Sequence, residues 1–292
     1  MSKRLLATLV GFTAILMWSL LALFTVLSGE VPPFQLTAMS FLVGGLVGLV
    51  SWIRRPSAIR VLKQPWTVWA LGVFGIFGYH AAYYTALRLS PPVEAGLVNY
   101  LWPLLIVVLS SLLPGERLRW FHALGALLGL AGAILVVTKG RSISIDPRYI
   151  SGYGAALFGA FFWAGYSVLS RRFANVSTDI VVGFCFVAML LSIGAHLVFE
   201  TTVWPENLTQ WLATIGLGLG PAGGAFYVWD YGVKHGDIQV LGAAAYAAPL
   251  LSTGVLILGG VADFTLVIGL AALLITLGAV LASKDLFFRS KS

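Results

Sequence analysis

Long apolar runs recur along this chain, each near the 20 or so residues that carry a helix across a hydrocarbon core of roughly 30 Å. They fall at 5–27, 34–53, 66–87, 95–113 and 120–138, then at 152–170, 180–199, 208–231, 238–258 and 264–281. Lipid offers the backbone no hydrogen bonds, so a segment that crosses it must satisfy its own N–H and C=O groups, and single runs of this length do so as helices. The expected fold is therefore an all-α membrane protein with ten transmembrane helices. Composition agrees. Of 292 residues, 59% are hydrophobic and 10% are charged, against about 25% charged in soluble domains. The first run is too long for the h-region of a signal peptide, about 7–15 residues, and no A-x-A signal follows it. It is read as a retained helix.

Lys and Arg orient such helices, because cytoplasmic loops carry the excess. With the amino terminus cytoplasmic, only Arg88, Lys139, Arg141 and Arg148 of the 18 basic residues fall on the far side. Lys3, Arg4, Arg54, Arg55, Arg60, Lys63, Arg117, Arg119, Arg171, Arg172, Lys234, Lys284, Arg289 and Lys291 fall on the near side. Both termini are thus expected in the cytoplasm, in a bacterial inner membrane. The net charge of +7 serves orientation, and no nucleic acid partner is expected. Cys185 is the single cysteine, which rules out an internal disulfide and a cysteine-based metal cluster. No nucleophile elbow, HExxH or metal-ligand spacing is present, so no enzyme activity, cofactor or metal is expected.

The two halves repeat each other. At a near-constant offset Trp18 recurs as Trp163 and Phe41 as Phe186, Gly96, Tyr100 and Pro103 recur as Gly242, Tyr246 and Pro249, and Gly132 recurs as Gly278. Residues 1–140 and 150–285 are therefore expected to be two five-helix repeats. Five is odd, so the second repeat lies inverted relative to the first. Inverted repeats mark secondary transporters, which hold substrate near the midplane between them. Pro103 and Pro249 fall inside their spans, where proline removes a helix hydrogen bond. They are expected to act as paired hinges that free the carbonyls of Asn99 and Ala245. Gly44/Gly48 and Gly125/Gly129 have the spacing for close helix approach. The glycines at 216, 218, 220, 223 and 224, with Pro221, make the eighth span the least regular.

Polar groups at membrane depth are costly and thus informative. Trp66, Trp120, Trp204 and Trp211 sit at span ends and fit an interfacial belt. Deeper lie Trp18, Tyr79, His80, Tyr83, Asn99, Tyr100, Trp102, Trp163 and Tyr246, the candidate substrate-binding residues. Aromatic walls with a few polar tips suit an amphipathic organic solute. His80 has two readings: a hydrogen bond to a neighbouring helix, or contact with substrate. Asp230 and Lys234 have the spacing of an ion pair one helical turn apart. No carboxylate lies at the centre of a span, which favours neutral or zwitterionic cargo.

With its two five-helix halves, Trp18 and Trp163, and the Pro103 and Pro249 spans, the chain resembles the drug/metabolite transporter superfamily, and within it the ten-helix exporters built of two EamA repeats. The stretch GYHAAYYTALRLSPPVEAGLVNYLWPLL, residues 78–105, resembles the YddG-type aromatic amino acid exporters. The resemblance implies export of aromatic and other neutral amino acids by alternating access. It names Trp18, Tyr79, His80, Tyr83, Tyr100, Trp102 and Trp163 as lining. A small-molecule substrate and surrounding lipid are the expected partners of a monomer. Export of a drug or other metabolite, import, a membrane-embedded enzyme built on His80 and a lipid flippase are the competing readings.

Overall fold

Helix starts show how local sequence sets the elements. The computed structural model describes residues 2–142, 146–258 and 263–284. Ser2 opens α1 (Lys3–Trp18) by accepting from Leu5 N–H. After a turn at Ser19 and Leu20 the chain continues as α2 (Leu21–Leu27). Helix α3 (Pro33–Ile53) is capped from a distance: the Glu200 carboxylate accepts from Phe34 N–H at 3.0 Å and Gln35 N–H at 3.1 Å. An anion at a helix amino end satisfies orphan donors and meets the positive end of the dipole. Glu200 also meets His196 Nδ1 at 3.0 Å and lies 3.7 Å from the Arg88 guanidinium.

The third span is α4 (Trp66–Val73), a π-helical turn (Phe74–Gly78) and α5 (Tyr79–Leu89). The fourth is broken into α6 (Pro92–Asn99) and α7 (Trp102–Ser110). Then come α8 (Trp120–Thr138), α9 (Ile150–Leu169) and α10 (Val181–Phe199). The eighth span is broken between α11 (Leu208–Leu219) and α12 (Gly224–His235). The ninth is α13 (Ile238–Ala244) and α14 (Ala247–Leu258), bent by 40°. Helix α15 (Leu266–Ala282) closes the described chain. The described residues form helices and no strand. Six helices are long and apolar enough to cross a membrane unaided, or seven if the bent pair counts as one span. The chain is a multi-pass membrane protein. Arg289, Lys291 and residue 285, the expected end of the second repeat, lie outside the described residues.

The prolines act differently from the mid-helix kink expected of them. Pro103 is the second residue of α7, and Pro249 is the third of α14. The first helical turn has no intrahelical partner for its N–H groups, so proline costs little there. The breaks precede the prolines, at Tyr100–Leu101 and Ala245–Tyr246. The Ala245 carbonyl is not left free, because it accepts from Ala248 N–H at 3.1 Å. The break in the eighth span brings backbones so close that only glycine fits. A Cβ at Gly223 would overlap the Gly218 carbonyl and lie 2.8 Å from Gly44 Cα.

The main helix pairs are α1 with α12, α5 with α9, α3 with α10 and α8 with α15. Exchanging each first-half element for its counterpart in the second half returns the same four pairs. At the α8–α15 crossing the backbones touch, since a Cβ at Gly125 would lie 2.6 Å from the Gly278 carbonyl. Small residues allow this approach. Around the outside, Trp66, Trp120 and Trp204 are 78%, 66% and 61% exposed, as an interfacial belt requires. Leu197, Leu212 and Leu273 are exposed as well, which suits a surface solvated by lipid.

The face that carries the amino terminus is tied by charge. Arg4 pairs with Asp237 at 2.8 Å and lies 3.5 Å from Glu116. Arg171 pairs with Glu116 at 2.8 Å and donates to the Val233 and Gly236 carbonyls at 3.1 and 2.9 Å. Below it Asp230 and Lys234, both nearly fully buried, pair at 2.8 Å one turn apart. The Tyr166 and Thr178 hydroxyls donate to the two Asp230 oxygens at 2.9 and 2.7 Å, and Lys234 donates to the Val176 carbonyl at 3.0 Å. Every charge is matched, which is what makes burial at this depth tolerable.

Candidate functional site

The broken spans converge on a hollow of about 400 Å³, within the range of roughly 300–1,000 Å³ for small-molecule sites. Trp18, Leu21 and Ala22 enter it from the α1–α2 turn. Tyr79, His80 and Tyr83 come from the first turns of α5, where spacings of three and four residues share a helix side. Asn99, Tyr100 and Trp102 flank the break between α6 and α7. Trp163 projects from the middle of α9, and Pro221, Ala222 and Phe226 flank the break before α12. Val136 and Val137 near the end of α8 and Ser252, Thr253 and Leu256 on α14 complete the wall. These last positions lie toward the face opposite the amino terminus, so the hollow extends that way.

Its floor is a cluster of indoles. Trp229 is fully buried and lies 5.0 Å from Trp18, 6.0 Å from Trp102 and 6.1 Å from Trp163, centroid to centroid. Trp18 and Trp163 meet edge to face at 5.8 Å. Such arrangements contribute about 0.5–1.5 kcal/mol per pair beyond area burial. Polar tips are fixed where the structure allows. Trp229 Nε1 donates to Ser167 Oγ at 3.0 Å, and Trp18 Nε1 donates to the Pro221 carbonyl at 3.1 Å. Asn99 Nδ2 donates to the Tyr79 hydroxyl at 3.2 Å, while Asn99 Oδ1 is buried without a partner. His80 Nδ1 lies 2.8 Å from the Ile76 carbonyl of its own helix, not a neighbouring helix. No Asp, Glu, Lys or Arg lines the hollow, and no group of metal-binding side chains occurs among the described residues.

Of the residues singled out from sequence, Trp18, Tyr79, His80, Tyr83, Asn99, Tyr100, Trp102, Trp163 and Pro249 border this hollow, and Pro103 does not. Tyr246 is the substrate candidate that the structure puts elsewhere. It is fully buried, its ring lies against Gly129, and its hydroxyl accepts from Leu104 N–H at 3.1 Å at the start of α7. It caps a half-helix instead of facing a ligand. Phe226, Ser252 and Thr253 were not anticipated. The glycine-rich break before α12 was the available signal for Phe226, and the two hydroxyls in an otherwise apolar span were the signal for α14.

The chain matches the EamA-like transporter family twice, over residues 5–138 and 150–284. An aromatic amino acid exporter YddG from Ancylobacter novellus is 51% identical over 282 residues, covering 96% of this chain and 98% of its own. Proteins of the same name from Salmonella typhimurium and Escherichia coli are 28% and 26% identical, each covering 85% of this chain and 86% of its own. A solved crystal structure with 51% identity superposes with a TM-score of 0.92, over 98% of this chain and 99% of its own. Two matched repeats cover nearly the whole sequence, and on that ground the chain belongs to the EamA-like transporter family.

Proposed function

We propose that this protein exports aromatic and other neutral amino acids across a bacterial inner membrane by alternating access. The observation that carries the reading is the hollow itself, with aromatic walls, several hydrogen-bonding tips and no charged side chain. It suits a solute with an apolar body and no net charge. The name of the 51% identical relative points to the same cargo. On this reading ten transmembrane helices form two inverted repeats, residues 1–140 and 150–285, with both termini cytoplasmic. The matching helix pairs support the inversion, and the Lys and Arg bias supports the orientation. The hollow then faces outward, while Trp229 and the Arg4–Asp237 and Arg171–Glu116 pairs close the cytoplasmic side. Transport requires that closure to open as the breaks beside Pro103 and Pro249 rearrange. A monomer suffices, because the hollow is complete within one chain.

The test is counterflow of labelled phenylalanine into liposomes that hold the purified protein. Wild type accumulates label. Trp163→Ala and His80→Ala lower the initial rate about tenfold or more, with the elution profile unchanged. Equal rates in wild type and both variants would sink the site assignment. Equal rates in liposomes with and without protein would sink the function.

A further inference from the structure

The π-helical turn at Phe74–Gly78 has a chemical consequence for His80, which follows it by two residues. Such turns disturb the regular backbone ladder and occur often at functional sites. Here the His80 imidazole reaches back one turn, and Nδ1 lies 2.8 Å from the Ile76 carbonyl. A carbonyl oxygen only accepts, so Nδ1 carries the hydrogen. The ring is packed against Phe41, Tyr79, Tyr84 and Phe226, with centroids 5.1–6.3 Å away. None of these side chains is an anion that would hold a second proton in place, and a lone charge among apolar rings is costly. The neutral ring therefore presents a lone pair at Nε2.

That lone pair has no partner among the described residues, and it is not shut away as Asn99 Oδ1 is. His80 borders the hollow, and Nε2 is its one ring nitrogen left for a ligand there. Trp102 and Trp163 also border it, their indole N–H groups have no hydrogen-bond partner among the described residues and are not shut away, and an indole only donates. Trp18 N–H is already spent on the Pro221 carbonyl. The hollow thus offers a basic nitrogen acceptor in one place and bare donors in another, with no full charge.

We propose that the Ile76 carbonyl locks His80 in the Nδ1–H tautomer so that Nε2 accepts from the ammonium group of the cargo. His80 is then the residue that selects a solute bearing an ammonium group over one of the same shape that lacks it. The donors at Trp102 and Trp163 take the cargo's carboxylate. This rests on the amino-acid reading given above and assigns the substrate's polar ends within it.

The test compares phenylalanine with 3-phenylpropionate, which keeps the ring and carboxylate and lacks the amino group. Equilibrium binding to purified wild type favours phenylalanine by about tenfold or more, the loss expected for one hydrogen bond to a charged group. His80→Phe brings the ratio close to one, and His80→Gln, which keeps an acceptor, restores part of it. A ratio in His80→Phe equal to that of wild type overturns the assignment. A second measurement needs no substitution. Nitrogen-15 spectra of histidine-labelled protein show His80 protonated at Nδ1, and its Nε2 resonance moves on adding phenylalanine but not 3-phenylpropionate. Protonation at Nε2, or equal movement with both ligands, overturns it. Failure of the amino-acid reading looks different: wild type binds neither phenylalanine nor any other amino acid.

Discussion

Tyr100 and Tyr246 occupy equivalent places in the two halves, each at a helix break and three residues before a proline. Their surroundings differ. Tyr246 is sealed in protein and caps α7 through Leu104 N–H, whereas Tyr100 borders the hollow. The cause lies one helix away. The Tyr246 ring fits against Gly129 of α8, where a Cβ would lie 2.6 Å from it. At the same offset that relates the two tyrosines, the second half carries Ile275, buried and packed against Gly132. Among the described residues, helices α6 and α7 do not pack on α15 as α13 and α14 pack on α8, so Tyr100 has no such niche and borders the hollow. One repeated motif thus yields an anchor in one half and a cavity-lining group in the other. The scaffold is symmetric and the site is not.

Substitutions at this pair test the contrast. Tyr246→Ala removes a fully buried ring and strands the Leu104 N–H, and it should cost about 3–5 kcal/mol of stability. The melting temperature in detergent checks this. Tyr100→Ala should melt much closer to wild type and lose phenylalanine binding instead. Next in size, Gly129→Ile fills the niche with the residue the other half uses. Overpacking of this kind costs about 1–3 kcal/mol, and the same melting experiment reads it. If the niche is the cause, Gly129→Ile and Tyr246→Ala combined cost less than their sum, because the clash has lost one partner. Smallest is the hydroxyl comparison. Tyr246→Phe leaves a buried N–H unpaired and costs about 1–2 kcal/mol, while Tyr100→Phe stays within about 0.5 kcal/mol. Equal melting shifts for the two would erase the distinction.

Much of this architecture was legible beforehand. The apolar runs located the helices, and Pro103 and Pro249 marked the fourth and ninth spans as the irregular pair without fixing where each breaks. Glycine content located the break before α12. Eight of the nine residues expected to bind substrate border the hollow, because they sit on the first turns of α5, beside the helix breaks and on α9, where the spans converge. Three features were hidden. The π-helical turn leaves no periodic mark, since Phe74–Gly78 reads as ordinary helix. The half-helix starts were misjudged because proline position was read against a continuous helix. Depth in a span makes Tyr246 a candidate, but its surroundings depend on Gly129, a residue distant in sequence that no local pattern connects to it.

Diffraction from crystals grown with 4-iodophenylalanine shows where an aromatic amino acid binds, because iodine scatters anomalously and marks its own position. One strong peak is expected inside the hollow, between Trp18, Tyr100 and Trp163. A peak instead in the apolar groove formed by Met39, Met189 and Ile215 between α3, α10 and α11, or no peak at a concentration that blocks phenylalanine counterflow, would contradict it.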